Sequence, residues 1–177
     1  MLYKECIISG MRRRMSNSKD ILREGIVSFF FLGRAPVAPG TFGSFGAVIL
    51  AYLVATYIAS FAGFVLLALA AVFYYIGLQL APWCEEKFDK DPGIFVLDEV
   101  IGYLIPIGFL IILSVELKTS LWILSFIFFR IFDVIKIWPA KDLENISGGN
   151  GILLDDVAAG FQTLILILLI EQLGFLP

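Results

Sequence analysis

The 177-residue chain contains no histidine. This absence removes Ser-His-Asp hydrolases, HExxH zinc enzymes and phosphatases that work through a phosphohistidine, because each needs an imidazole as base, ligand or nucleophile. Cysteine is nearly missing as well. Cys6 and Cys84 form no CxxC pair, so neither a zinc site nor a disulfide framework is expected, and both are read as free thiols. Charge is scarce, at 16% of residues, where an average soluble domain carries about a quarter. A formal net charge of -3 offers no footing for nucleic acid, and no nucleic-acid partner is expected. The GxxxxGK[ST] pattern of a P-loop is also missing. Acid-base or metal chemistry must therefore rest on Asp, Glu, Lys, Arg or Tyr.

What fills the space is apolar. Hydrophobic residues make up 59% of the chain and aromatics 15%, which together with the low charge reads as membrane. The length suits one membrane-embedded domain over 1–177. Seven of the 13 basic residues (Lys4, Arg12, Arg13, Arg14, Lys19, Arg23 and Arg34) lie in the first 34 positions. The positive-inside rule makes 1–20 a basic cytoplasmic segment. Ser16-Asn17-Ser18-Lys19-Asp20 reads as a helix cap and not as a cleavage region. The apolar stretch 21–32 is interrupted by Arg23 and Glu24 and is too short to cross a hydrocarbon core of about 30 Å. A helix lying at the interface, or packed on a bundle, is expected there.

Prolines and glycines at 33–44 predict a rigid loop, with Thr41 or Ser44 capping the next helix. From 45 to 81 there is no charge at all. At about 1.5 Å per residue that run is too long for one span and suits two, joined near 60–63. Further spans are expected at 94–115, 120–132 and 157–170. The expected fold is an all-α, multi-pass helical membrane bundle of about four to five spans with an interfacial N-terminal helix. Counting the spans alternately puts 33–44, 82–99 and 130–156 on the cytoplasmic face, and the Lys118 turn and the C-terminus on the other.

Four constellations fall on that one face. In Phe95-Val96-Leu97-Asp98-Glu99-Val100-Ile101-Gly102 two adjacent carboxylates stand in an apolar run. Burying an unpaired carboxylate costs several kcal/mol, so the pair must meet water, cations or a metal. Hard oxygen ligands suit Mg²⁺; a pair of helix N-terminal acids favoured by the macrodipole is the alternative. A calcium-loop reading of Asp89-Lys90-Asp91-Pro92-Gly93 fails, because Gly93 and Val100 stand where that motif needs ligands. Arg130, Asp133 and Lys136 recur at steps of three, one polar stripe on a helix, either a salt-bridge ladder or a functional set. Gly148-Gly149-Asn150-Gly151 leads into Asp155-Asp156 with Ala158, Ala159 and Gly160 behind. It reads either as a flexible linker with helix-opening acids or as a loop that approaches a ligand closely, followed by a tightly packed helix. Pro39-Gly40-Thr41-Phe42-Gly43-Ser44, with Arg34 nearby, could offer backbone N–H groups and hydroxyls to an anion. Carboxylates for Mg²⁺, cations for phosphate and a helix start for an anion suit phosphoryl chemistry on a lipid headgroup. An acid-lined ion transporter is the rival from another class.

Taken in order, four blocks resemble the phosphatidylglycerophosphatase A family. They are Ala38-Pro39-Gly40-Thr41-Phe42-Gly43-Ser44; Asp91-Pro92 through Val96-Leu97-Asp98-Glu99-Val100-Ile101-Gly102; Phe129-Arg130-Ile131-Phe132-Asp133 with Lys136 and Trp138-Pro139; and Gly148-Gly149-Asn150-Gly151-Ile152 through Asp155-Asp156 to Ala159-Gly160. The resemblance extends over 33–160. It implies a Mg²⁺-dependent phosphomonoesterase of the bacterial cytoplasmic membrane that converts phosphatidylglycerophosphate to phosphatidylglycerol. Carried over by position, Asp98, Glu99, Asp133 and Asp156 are implied as catalytic, and these four with Asp155 as metal ligands. Arg130 and Lys136 are implied as phosphate partners, with Arg34 and Thr41 added from the anion-site reading. Three positions depart from the family pattern. Phe31-Leu32-Gly33-Arg34-Ala35-Pro36 replaces the usual Gly-Ser-Gly-Leu-Ser-Pro, Ile137 replaces a proline, and Glu144 stands where Asp is frequent. These bear on substrate preference more than on reaction type.

Overall fold

The computed structural model describes residues 18–88, 92–116 and 118–174. The Arg12-Arg13-Arg14 run, Cys6 and Asp89-Lys90-Asp91 lie outside them. The described residues form helices and turns, with no strand among them. The helices are α1 (Ser18–Val27), α2 (Pro39–Ile58), α3 (Ala62–Phe88), α4 (Leu97–Ile112), α5 (Thr119–Ile135), α6 (Ala140–Leu143) and α7 (Gly149–Gln172), with 3₁₀ turns at Leu32–Arg34 and Ala59–Phe61.

Helix α4 is the axis of the bundle. Beyond Glu99 it carries no charge, so it has no face to offer to water and must be enclosed on all sides. Every residue from Val100 to Gly108 is buried. Helices α2, α3, α5 and α7 enclose it. Their directions alternate. Gly40 at the start of α2 meets Glu99, and Tyr52 further along packs on Trp122 of α5. The start of α3 touches Gly108, whereas Gly77 lies by Phe95. Arg130 near the end of α5 reaches Glu99, and Phe161 of α7 meets Phe109. The starts of α2, α4 and α7 and the ends of α3 and α5 therefore converge at one end of the bundle.

The exterior is apolar. Phe45, Ile49 and Leu53 on α2, Ile123, Ile127 and Ile131 on α5, and Phe161, Ile165 and Leu169 on α7 are exposed at four-residue steps. Each set is a row along one helix face. Contiguous apolar rows of this size are avoided in water and accepted by lipid. Two helical stretches, Pro39–Phe88 and Gly149–Gln172, are long and apolar enough to cross a membrane. The first is divided at Ala59–Phe61, close to the break expected at 60–63. Helices α4 and α5, at 16 and 17 residues, are shorter.

Three local expectations are corrected. Helix α2 begins at Pro39, with φ already suited to a first helical residue. Thr41 and Ser44 thus lie inside it and cap nothing; Ser44 Oγ donates back to the Gly40 carbonyl at 2.9 Å. The glycine-rich segment is no loop, because α7 starts at Gly149. Asp155 and Asp156 consequently sit in its second turn and are buried. Helix α1 stops at Val27, short of the expected 32.

Helices α4 and α7 cross in backbone contact. A Cβ on Gly160 would strike the Gly102 carbonyl oxygen, and one on Gly102 would come within 2.7 Å of the Asp156 carbonyl oxygen. Small residues permit such approach, and it brings the acids of the two helices together. Gly160→Leu is expected to force α4 and α7 apart and to destabilise the protein by about 1–3 kcal/mol, read from unfolding in detergent. Phe161→Leu, one residue along on the outer face, should leave that transition in place.

Candidate active site

A cavity of about 710 Å³ opens where the helix ends converge. Asp98, Glu99, Asp133, Asp155 and Asp156, the five acids picked out in the sequence, all line it, together with Lys136. Each acid is delivered by a helix end: Asp98 and Glu99 by the first turn of α4, Asp133 by the last turn of α5, and Asp155 and Asp156 by the second turn of α7. Glu85 and Glu144 add two more carboxylates to the lining.

One oxygen each from Asp98, Glu99 and Asp156 lie within 4.8 Å of one another. Like charges this close repel strongly where water is scarce. Glu99 Oε2 and Asp156 Oδ2 are buried and have no hydrogen-bond partner among the described residues, which costs each oxygen its hydration without return. The carboxyl of Asp133 lies against that of Asp156 and adds to the negative field. A donor set made only of carboxylate oxygens, with orphaned atoms turned inward, fits a small hard divalent cation. With no thiolate or imidazole among the donors it does not fit a soft-metal site.

Two cations accompany the acids, in different ways. Arg130 pairs with Asp133 at 2.5 Å and approaches Glu99 at 3.8 Å. Its Nη1 also donates to Ser44 Oγ at 3.3 Å. Arg130 does not line the cavity; it stands behind the carboxylates and ties α5 to α2. Lys136 lies just past α5 in a left-handed conformation, φ 50°. That turn takes it out of the expected three-residue stripe and directs Nζ to Glu144 at 2.7 Å and Asp155 at 2.9 Å. Burial alone would lower its pKa, but the hydrogen bonds and charges of Glu144 and Asp155 outweigh this and hold it above the usual lysine range. Lys136 is therefore a cation throughout the neutral range, and the stability it contributes is lost only on raising the pH past ordinary lysine titration.

The remaining expected residues lie elsewhere. Arg34 forms an ion pair with Glu24, Nη2 to Oε1 at 2.6 Å, and neither Arg34 nor Thr41 lines the cavity. Glu144 and Gly40 escaped sequence reasoning as functional residues, and Ser44 was expected as a cap or an anion-binding hydroxyl. Glu144 shares Lys136 from a separate short helix end, a contact that spacing along one helix cannot reveal. Ser44 receives Arg130 across the bundle. Gly40 matters for having no side chain: a Cβ there would collide with Glu99 Oε1, so that carboxylate rests directly on the first turn of α2. The Pro39-Gly40-Thr41 block was the available signal, although it pointed to a helix start and not to packing room.

The helical bundle gathers five carboxylates and a lysine at one cavity, and its match to a family of phosphatases makes the protein a phosphatase. More particularly, the family model of phosphatidylglycerophosphatase A matches residues 25–171, and the chain belongs to that family. A relative from Bacteroides thetaiotaomicron, provisionally described as a phosphatidylinositol-3-phosphatase, is 34% identical over 78% of this chain and 86% of its own. Phosphatidylglycerophosphatase A of Escherichia coli is 30% identical over 86% of this chain and 83% of its own. That of Haemophilus influenzae is 28% identical over 76% and 79%. No solved structure matches the chain.

Gly40→Ala is expected to displace the Glu99 carboxylate and lower kcat about a hundredfold, the scale of a misplacement near 1 Å. Helical content and the unfolding midpoint should stay close to those of the parent, and circular dichroism beside a phosphate-release assay checks both.

Proposed function

We propose that the protein hydrolyses the terminal phosphate monoester of phosphatidylglycerophosphate, giving phosphatidylglycerol and inorganic phosphate, in the bacterial cytoplasmic membrane with the acidic cavity facing the cytoplasm. The observation that carries this reading is the Asp98, Glu99 and Asp156 cluster with its orphaned oxygens, set beside Lys136 in a chain of this family. Five crossings by α2, α3, α4, α5 and α7 are part of the proposal, supported by their alternating directions and their outward apolar rows. Arg23 and Arg34 near the end that holds the cavity agree with the positive-inside rule.

Asp98, Glu99 and Asp156 are the proposed holders of Mg²⁺, with Asp133 and Asp155 beside them. When bound, the ion would neutralise phosphate charge and stabilise the charge that develops in the transition state. Lys136 would move from Glu144 to a phosphate oxygen, its charge secure at neutral pH. Arg130 would keep Asp133 and Glu99 in position from behind. The bond from phosphorus to the glycerol oxygen breaks as a bond to a water oxygen replaces it, and a proton of that water ends on the departing glycerol oxygen. A carboxylate of the set either takes the proton of that water or attacks phosphorus first and is released by water afterwards. Labelled phosphate trapped on the protein after acid quench would identify the second route; full turnover without label would identify the first.

Purified protein in detergent is expected to release phosphate from phosphatidylglycerophosphate with added Mg²⁺ and to stop when a chelator is present. Asp98→Asn should lower turnover about a hundredfold or more while the protein stays folded. Phosphatidylinositol 3-phosphate belongs in the same assay, because the Bacteroides relative carries that activity in its description and the ester chemistry is the same. Release from that lipid alone would move the substrate assignment. No release from either, with or without Mg²⁺, would favour the acid-lined ion pathway.

A further inference from the structure

A second cavity, of about 450 Å³, lies on the other side of the first turn of α4. Its lining is apolar apart from Ser18 at one edge: Ile21, Leu22 and Ile26 of α1, the Phe29-Phe30-Phe31 turn, Phe73 of α3, and Leu97. The volume falls in the range of small-molecule sites, about 300–1,000 Å³. No residue of the acidic cavity faces it. Leu97 lines this groove, while Asp98, the next residue, and Phe95 line the acidic cavity.

The wall of the groove is built at a conformational cost. Phe29, Phe30 and Phe31 take φ of 44°, 58° and 65°. Three successive left-handed residues with side chains are unfavourable and persist only where the surroundings impose them. Here the restraints are visible. The Phe30 amide donates to the Gly25 carbonyl at 2.7 Å, the Gly33 amide to the Ser28 carbonyl at 2.9 Å, and the Phe31 amide to Ser28 Oγ at 3.1 Å. The Phe29 and Phe30 rings meet edge to face, with centroids 5.2 Å apart. Phe29 is buried against Phe73, Phe31 covers Gly25 and lies under the Arg34 guanidinium, and Phe30 is 80% exposed. The Val96 amide donates to the Val27 carbonyl at 2.9 Å, which anchors the turn to the residues just before the acids. On its outer side the groove is lined by exposed Ile21 and Leu22 of α1 and by exposed Phe30. It is thus continuous with the apolar exterior.

An apolar groove that opens to the lipid-facing surface, and shares one helical turn with a phosphate-directed cavity, fits a molecule with a hydrocarbon tail and a phosphate head. We propose that this groove holds one acyl chain of the phospholipid whose phosphate enters the acidic cavity. The proposal rests on the lipid-phosphatase reading above. It assigns the Phe29-Phe30-Phe31 turn and α1 to substrate selection by chain length, a task apart from catalysis.

The test has a binding arm and a kinetic arm. Phosphatidylglycerophosphate with a diazirine near the end of one acyl chain is photolysed with the full-length protein in mixed micelles, and the label is mapped by mass spectrometry. Label is expected on the Phe29–Phe31 peptide and on Phe73, removable by excess unlabelled substrate. In the kinetic arm, Ile26→Trp narrows the groove, and Leu22→Trp repeats the obstruction at an exposed position where folding is not at risk. Each should lower the ratio of kcat/KM for a long-chain over a dihexanoyl substrate about tenfold, the value of losing burial of two methylenes. Equal labelling of the same peptides by phosphatidylcholine bearing the same diazirine would overturn the proposal, since any lipid would then lie there. An unchanged chain-length ratio in both variants would also overturn it, with the phosphatase reading intact if the parent hydrolyses both substrates. Substrate-specific labelling of the groove by a protein that hydrolyses neither substrate would support the groove and sink the phosphatase reading instead.

Discussion

Mutual repulsion among carboxylates crowded at one end of the bundle is the constraint on which the structure turns. Asp98, Glu99 and Asp156 are held within a few ångströms at the converging helix ends, and two of their oxygens have no hydrogen-bond partner among the described residues. Such a cluster is unfavourable in itself, so the rest of the fold must hold it in place. The Gly102–Gly160 crossing keeps α4 and α7 in backbone contact, Gly40 gives Glu99 room on α2, and Arg130 secures α5 through Glu99 and Ser44. Each restraint acts on a different helix, and together they leave the acids little freedom to move apart. A bound divalent cation would relieve repulsion of this kind, and the proposed Mg²⁺ site rests on that.

The two cations divide the electrostatic work. Arg130 stands behind the acids and serves the structure, meeting Asp133, Glu99 and Ser44 through the one nitrogen Nη1. Lys136 is at the cavity wall, held by one buried acid, Asp155, and one half-exposed acid, Glu144. Ion pairs to exposed partners are weak, so the Glu144 contact can be exchanged for a phosphate oxygen at little cost. Had both cations been locked between buried acids, the cavity would have had nothing mobile to offer an incoming anion.

Around this polar end the protein is apolar inside and out. Helix α4 is enclosed by four neighbours, and those neighbours turn rows of Phe, Ile and Leu outward. A bundle of this kind has no hydrophobic drive to separate interior from exterior once it is in lipid, so close packing of small residues decides how its helices meet. The glycines of α4 and α7 do this beside the acids, and Gly63 with Gly108 does it at the far end between α3 and α4. The phosphatidylglycerophosphatase A family blocks lie almost wholly at the polar end, where chemistry constrains the residues, while the spans between them need only be apolar and of suitable length.

Much of this was legible in the linear chain. Missing histidine, scarce charge and uninterrupted apolar runs determine an all-helical chain suited to lipid, and the break near Ser60 was visible as the one weak point in a long run. The five acids stood out because a carboxylate in an apolar segment demands an explanation wherever it is found. What the sequence could not determine was which polar residues meet. Arg34 belongs to Glu24 and not to the cavity, Lys136 leaves its helix stripe through a left-handed turn, and Asp155 and Asp156 lie a turn deeper than a loop reading placed them. Nor does a pattern of periodicity say that a glycine is needed because a carboxylate from another helix rests on it, as Glu99 rests on Gly40. Composition and periodicity act locally and so can be read from the chain, but pairing between side chains far apart in sequence depends on how helices cross, and that is decided only when their surfaces pack.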